Sequence, residues 1–274
     1  MKITAFSNKW DKSSKSNKTT QYSQTNLLQL SNLLTSTKLQ IYLPTEPTAD
    51  LSPLAALSHL TEFQITWDNR STNLMPLINL TNLTDLILLN GEISDLSPIA
   101  NLVNLKYLTF GNSRISNIKP LERLVNLRNL QLTNSQISNL KPLAGLKNLS
   151  TLYLQGNKIS DITPLANLQN LSDVDLSNNK IADISPLANL QNLGRLDLSS
   201  NKVEEIPRFW ANRYPCFEMN LSNNTIADIS PLLAIMESNR HFWQVCLAGN
   251  PIEIENVSQL VRLRNLWDCL QTQI

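Results

Sequence analysis

The chain restates one phrase every 22 residues. "NL" ahead of an alternating apolar stretch recurs with its Leu at 83, 105, 127, 149, 171 and 193, and the copies follow the pattern L-x-x-L-x-L-x-x-N with substitutions at some slots. The unit at Leu149 reads "LSTLYLQGN", with Leu152, Leu154 and Asn157 in the held slots. Looser copies lie upstream (Leu39 and Ile41, Phe63 and Ile65) and downstream (Met219 and Leu221, Val245 and Leu247), at spacings of 23–26 residues. Ten rungs result. A unit this short cannot bury its apolar face alone, so a fixed period implies stacked units that share a continuous core.

Each slot has a physical reading. Alternation in L-x-L is the period-2 signal of a strand with one buried face. Such strands are too short to stand alone and must stack side by side in a parallel sheet. The Asn after the strand (Asn157, Asn179, Asn201, Asn224, Asn250) falls where the chain turns away. A buried amide there can satisfy turn backbone groups that would otherwise lack partners. Ser113 and Ser135 hold that slot in two rungs, with Gly91 and Asp68 further upstream, so the ladder weakens toward the N-terminus. The return half reads I-x-D-I-x-P-L-A-x-L-x-N-L, as in "ISDITPLANLQNL" from Ile159. Ser or Thr before Pro predicts a hydroxyl N-cap followed by Pro at the first helical position. Only about one turn follows, which predicts a short 3-10 segment on the side away from the sheet.

Composition narrows function mainly by exclusion. A net charge of +1 over 274 residues argues against nucleic acid or an anionic membrane as partner. The opening stretch is polar, without the apolar run of a secretory signal. No window approaches the roughly 18 apolar residues of a membrane span. Cys216, Cys246 and Cys269 make no metal spacing, and their odd number fits a reducing compartment. Cytoplasmic residence as a monomer is therefore expected. His59 and His241 stand in unrelated turns, and no Gly-rich phosphate loop, C-x-x-C or H-E-x-x-H occurs. No catalytic residue, metal or cofactor is expected. The N-x-S/T triplets at Asn79, Asn82, Asn148 and Asn170 are by-products of the repeated "NL" and not glycosylation sites.

The unit with "DISPLANLQNL" resembles the leucine-rich repeats of bacterial internalins and related bacterial proteins over roughly residues 36–250. The resemblance implies an α/β solenoid, a right-handed superhelix with a parallel sheet on the concave face and 3-10 or short helical turns on the convex face. It also implies that a protein partner binds on the concave face. A second similar group is the intracellular, phosphatase-regulating type of leucine-rich-repeat protein, although the repeated Pro favours the internalin-like kind.

The ends need caps, because a solenoid otherwise exposes a sheet edge and an open core. Residues 1–24 read as a disordered tail, 25–250 as the solenoid with a cap helix over 25–36, and 251–274 as a C-terminal cap. The irregular unit "VEEIPRFWANRYP" places Trp210 in an Ala slot. "PLLAIMESNRHF" is long enough for a true helix.

The positions between strand leucines form columns on the open face. An apolar group comprises Tyr42, Trp67, Ile87, Leu89, Tyr107 and, further along, Tyr153, the usual composition of interface anchors. An acidic group comprises Asp173, Asp175 and Asp197, with Glu218 beside them. Like charges on neighbouring strands cost stability unless compensated, by a basic partner or internally by Arg195. The expected function is non-catalytic binding of a protein partner on the concave face. The alternatives are a secreted or surface adhesion or effector role, and a regulatory subunit of an enzyme such as a phosphatase.

Overall fold

The computed structural model describes residues 2–5, 20–21, 37–43, 51–70, 73–207, 218–232 and 244–252. The chain divides into two compact units, Met1–Ser135 and Gln136–Ile274. The first holds β1 (Lys2–Ala5), β2 (Thr20–Gln21), β3 (Lys38–Leu43), β4 (Glu62–Arg70), β5 (Asp85–Gly91), β6 (Tyr107–Gly111) and β7 (Asn129–Thr133). The second holds β8 (Thr151–Tyr153), β9 (Asp173–Asp175), β10 (Arg195–Asp197), β11 (Glu218–Asn220) and β12 (Gln244–Cys246). From β3 to β7, and again from β8 to β12, neighbours in sequence pair in parallel. A parallel sheet built from such a repeat is the expected leucine-rich-repeat solenoid.

The register stacks like on like. Leu86 pairs with Leu108 and Leu108 with Leu130; Leu152 pairs with Val174 and Leu196 with Met219. These residues, with the return-half Ile and Leu of each rung such as Ile159, Ile162, Leu165, Leu168 and Leu171, are buried to within a percent of complete. Each such side chain contributes roughly 1.5–3 kcal/mol by leaving water. Phe63 fills a slot in the Leu86 and Leu108 column, Phe110 one in the neighbouring Leu88 and Leu132 column, and both are as deeply buried.

The turns match the expected type but not the expected cap. Short 3-10 segments lie at Met75–Leu77, Ser97–Ile99, Lys119–Arg123, Lys141–Leu143, Thr163–Leu165 and Ser185–Asn189. Their N-cap residues are the apolar Leu74, Leu96, Ile118, Leu140, Ile162 and Ile184, none with a side-chain cap bond. Ser or Thr therefore stands one place inside the turn and Pro second. The backbone N–H of that first turn residue is met by a side chain two residues upstream. Asp95 accepts from Ser97 N–H at 2.8 Å, Asp161 from Thr163 at 2.9 Å and Asp183 from Ser185 at 2.8 Å. Asn73, Asn117 and Asn139 do the same in their rungs.

The N-terminus contributes two short strands. Within the expected tail of residues 1–24, β1 lies antiparallel against β3 and pairs with β2 on its other side. The backbone groups of β3 that face away from β4 are thereby paired, which is one way to protect a sheet edge. The expected cap helix over 25–36, the irregular unit around Trp210, and all of the expected C-terminal cap but residues 251–252 lie outside the described residues. Residues 230–232 are helical, and the rest of that expected helix is likewise outside.

Candidate partner-binding surface

The Asn slot behaves as its chemistry predicts. Asn179 donates through Nδ2 to the carbonyls of Leu154, Leu176 and Ser177 at 3.0–3.1 Å, and its Oδ1 accepts from Ile159 N–H at 3.0 Å. One side chain thus ties two rungs together. Asn201, Asn224 and Asn250 repeat the pattern. Ser113 makes a single bond, to Gly91 carbonyl at 3.2 Å, and Ser135 bonds only within its own rung. The residue before the slot adopts a left-handed backbone in rung after rung: Asn90, Asn112, Asn134, Gly156, Asn178, Ser200, Asn223 and Gly249, with φ between 50° and 72°. This frame sets the strand-face columns.

In the first unit, Ile87 and Leu89 are half-buried on β5, and Tyr107 on β6 is 41% exposed. Ile87 faces Gln64 and Thr109 across the register, Leu89 faces Thr66 and Gly111, and Tyr107 faces Asp85 and Asn129. Gly111 leaves a notch beside Leu89. A Cβ built there would meet Leu89 Cδ2 at 3.7 Å and Thr133 Oγ1 at 3.9 Å, both ordinary contacts. The same face carries an ion pair, Lys38 to Glu62 at 2.6 Å. Burial raises the carboxyl of Asp85, against the lowering effect of its 2.5 Å bond from Thr84. The apolar residues thus share their face with charged ones, as interface cores share theirs with a polar rim. Tyr42 and Trp67 have their backbones in β3 and β4, but their side chains lie outside the described residues.

In the second unit, Tyr153, Asp173, Asp175 and Asp197 are half-buried on one strand face. Asp173 accepts from the Tyr153 hydroxyl at 2.5 Å and from Arg195 Nη1 at 3.3 Å. That bond to a carboxylate raises the Tyr153 phenol above its usual range. Asp175 and Asp197 are direct register partners, and their charge is met from within. Oδ1 of each accepts both the N–H and the hydroxyl of the Ser two residues on, Ser177 at 3.0 and 2.7 Å and Ser199 at 2.9 and 2.6 Å. Asp197 Oδ2 also accepts from Asn220 Nδ2 at 3.0 Å. Asn220 makes the same pair of bonds to Ser222 with a neutral amide, so the turn itself does not require a charge. Next along this face, Gln155 Oε1 is a buried side-chain oxygen without a hydrogen-bond partner. Among the described residues, no group of three or more His, Cys, Asp and Glu could hold a metal ion.

Three recurrent features went unread in the sequence, and each carried a period-22 signal. They are the left-handed slot, the D/N-L-S turn at Asp175, Asp197 and Asn220, and a second amide ladder. In that ladder Asn82, Asn104, Asn126, Asn170 and Asn192 donate to a carbonyl of the preceding rung at 2.7–2.9 Å. This is the physical use of the Asn in the repeated "NL".

Stacked parallel strands, 3-10 returns and an asparagine ladder define a leucine-rich-repeat solenoid. The family model described as Leucine Rich repeats (2 copies) matches residues 125–167 and 169–210. An internalin, inlF, from Listeria monocytogenes is 30% identical with a TM-score of 0.72, the match covering 91% of this chain and 68% of that one. Internalin C2 of the same organism is 31% identical with a TM-score of 0.58, covering 84% and 87%. A leucine-rich-repeat protein of Leptospira interrogans is 25% identical with a TM-score of 0.67, covering 81% and 59%. No curated protein matches. The chain belongs to the internalin-like family of bacterial leucine-rich-repeat proteins. Proteins of this class are in general protein-interaction modules.

Proposed function

We propose that the chain is a non-catalytic binding module that takes a protein partner on the concave strand face. The observation that carries this reading is the exposed Tyr107 beside half-buried Ile87 and Leu89, with the open notch at Gly111. Aromatic and aliphatic groups on a rigid surface supply most of the energy of such contacts. Tyr42 of β3 and Trp67 of β4 are assigned to the same apolar group, and Tyr153, Asp173, Asp175 and Asp197 of the second unit are assigned to polar discrimination. The chain acts as a monomer in the cytoplasm.

The test is site-specific photocrosslinking from position 107 in native lysate, with identification of the captured protein and repetition in a Gly111→Gln variant. The introduced side chain is accommodated by the fold and covers Leu89, so the crosslink is expected to fall severalfold while thermal unfolding is unchanged. A crosslink equally strong in Gly111→Gln would remove this face from consideration. A second reading, adhesion or effector action outside the cell, is favoured by membership of the internalin-like family. Fractionation with detection of the chain in the medium or on the cell surface separates the two.

A further inference from the structure

We propose that Lys158, Lys180 and Lys202 form a cationic edge that docks a short acidic stretch of a partner polypeptide. Each follows the ladder Asn of its rung, and each is exposed. Their backbones are locked in step: Lys158 N–H donates to Ile137 carbonyl, Lys180 to Ile159 and Lys202 to Ile181, all at 2.8 Å. The three cations therefore recur once per rung, about 4.8 Å apart along the stack.

Side chains in this slot reach those of the next rung. In the first unit the slot is filled by Glu92 and Arg114, which pair at 2.8 Å and cancel. In the second unit no ion pair among the described residues cancels the charge of this slot. Lys158 Nζ meets only the neutral Gln136 Oε1, at 3.4 Å, and Lys180 and Lys202 have no side-chain partner among the described residues. Glu204 and Glu205 follow Lys202 closely in sequence and are exposed, yet neither pairs with it. The cation that lowers Asp161 electrostatically is Lys141, not Lys158. Three like charges on adjacent rungs repel one another, and an external anion relieves that repulsion.

Two observations choose the anion. Asp175 and Asp197 stand five residues before Lys180 and Lys202 on the same rungs, so a long uniform polyanion laid on the lysines would run beside carboxylates. The row also spans only two rung steps, about 10 Å, the length of roughly three extended residues. A Glu- or Asp-rich segment of that length fits, whereas a nucleic acid or sulfated polysaccharide overshoots it. This surface lies past the strand ends and does not depend on the Tyr107 face.

The test uses the full chain and a fluorescein-labelled triglutamate peptide, followed by anisotropy. Binding to wild type is expected to be saturable at about 50 mM salt and to weaken steeply by about 300 mM, as contacts between exposed charges are screened. The Lys158→Gln, Lys180→Gln, Lys202→Gln triple variant should bind about tenfold more weakly or worse, and the triple Lys→Arg variant should bind like wild type. If the triple Gln variant does not fold, single Lys180→Gln replaces it, with a loss of about threefold expected. The proposal is overturned by absence of peptide binding to wild type or by a Gln variant that binds like wild type. It is also overturned if a thymidine oligonucleotide or a heparin oligosaccharide of equal charge binds wild type more tightly than the peptide.

Discussion

Asn179 shows how much one side chain carries in a stacked repeat. Its amide meets three carbonyls and one N–H belonging to two rungs, and an unmet buried polar group costs roughly 1–3 kcal/mol. Asn179→Ala should therefore lower stability to urea by about 2–4 kcal/mol, and Asn179→Ser by less, since Ser113 shows that a hydroxyl supplies one of these bonds. Equal losses for Ala and Ser would mean that the slot is a matter of packing alone. Gly249 is constrained differently. Its φ is +72°, and a Cβ there would collide with Asn223 Oδ1. Gly249→Ala should destabilise by about 1–2 kcal/mol, part of it recovered when Asn223→Gly, which removes the collision and tolerates the positive φ, is added. Gly145, whose Cβ would meet nothing within 4 Å, is the control and should tolerate Ala without loss.

Within the element, charge is used in opposite senses in turn and strand. Asp95 and Asp161 have carboxyls held below their usual range by bonds from Ser97 and Thr163. A depressed folded value means stability that is present above the unfolded value near 3.8 and lost as pH falls through the lower folded one. Asp161→Asn keeps an acceptor, as Asn139 shows, so acid denaturation below about pH 4 should be measurably shallower in that variant. Asp85 is the reverse case, raised chiefly by burial. Its protonation is favoured on folding, so Asp85→Asn should stabilise the protein at pH 7, by less than about 1 kcal/mol after solvent screening. That gain should vanish on acidification through the raised folded value. The same contrast explains what could be read in advance. Leucine slots and the strand-face columns of Ile87, Leu89 and Tyr107 follow from periods of 2 and 22, because burial depends on position alone. The cap by Asp161 and the Ser177 bond to Asp175 depend on where one turn begins and which rotamer fills it. A one-residue shift of the turn moved the cap from the hydroxyl to the residue two places before it. The left-handed slot escaped notice because Asn, Ser and Gly all satisfy it, so no single residue type marks it.

At the scale of the molecule, a repeat that contacts only its neighbours should tolerate the loss of one whole copy and not of part of one. Residues 170–191 are one period, and their removal joins Gln169 to Asn192, restoring "PLANLQ" followed by "NLGRLDLSSN". The deletion takes out β9, Asn179 and the turn Ser185–Asn189 together. Every interface can then re-form with its counterpart one rung on: Asn192 in place of Asn170 for Lys147 carbonyl, and Asn201 in place of Asn179 for Ile159 N–H. This variant should keep its circular dichroism and unfold cooperatively, with a urea m-value lower by roughly a tenth, in proportion to the surface removed. Deleting only residues 170–180 removes the strand half of the rung and leaves two return halves in series. Ile181, Ile184 and Leu187 then have no strand to cover, and no register buries both returns. That shorter deletion should cost more than the longer one and abolish the cooperative transition. If the 22-residue deletion were the more damaging of the two, the rungs would not be interchangeable units, and stability would rest on particular side chains of β9 instead of on the period.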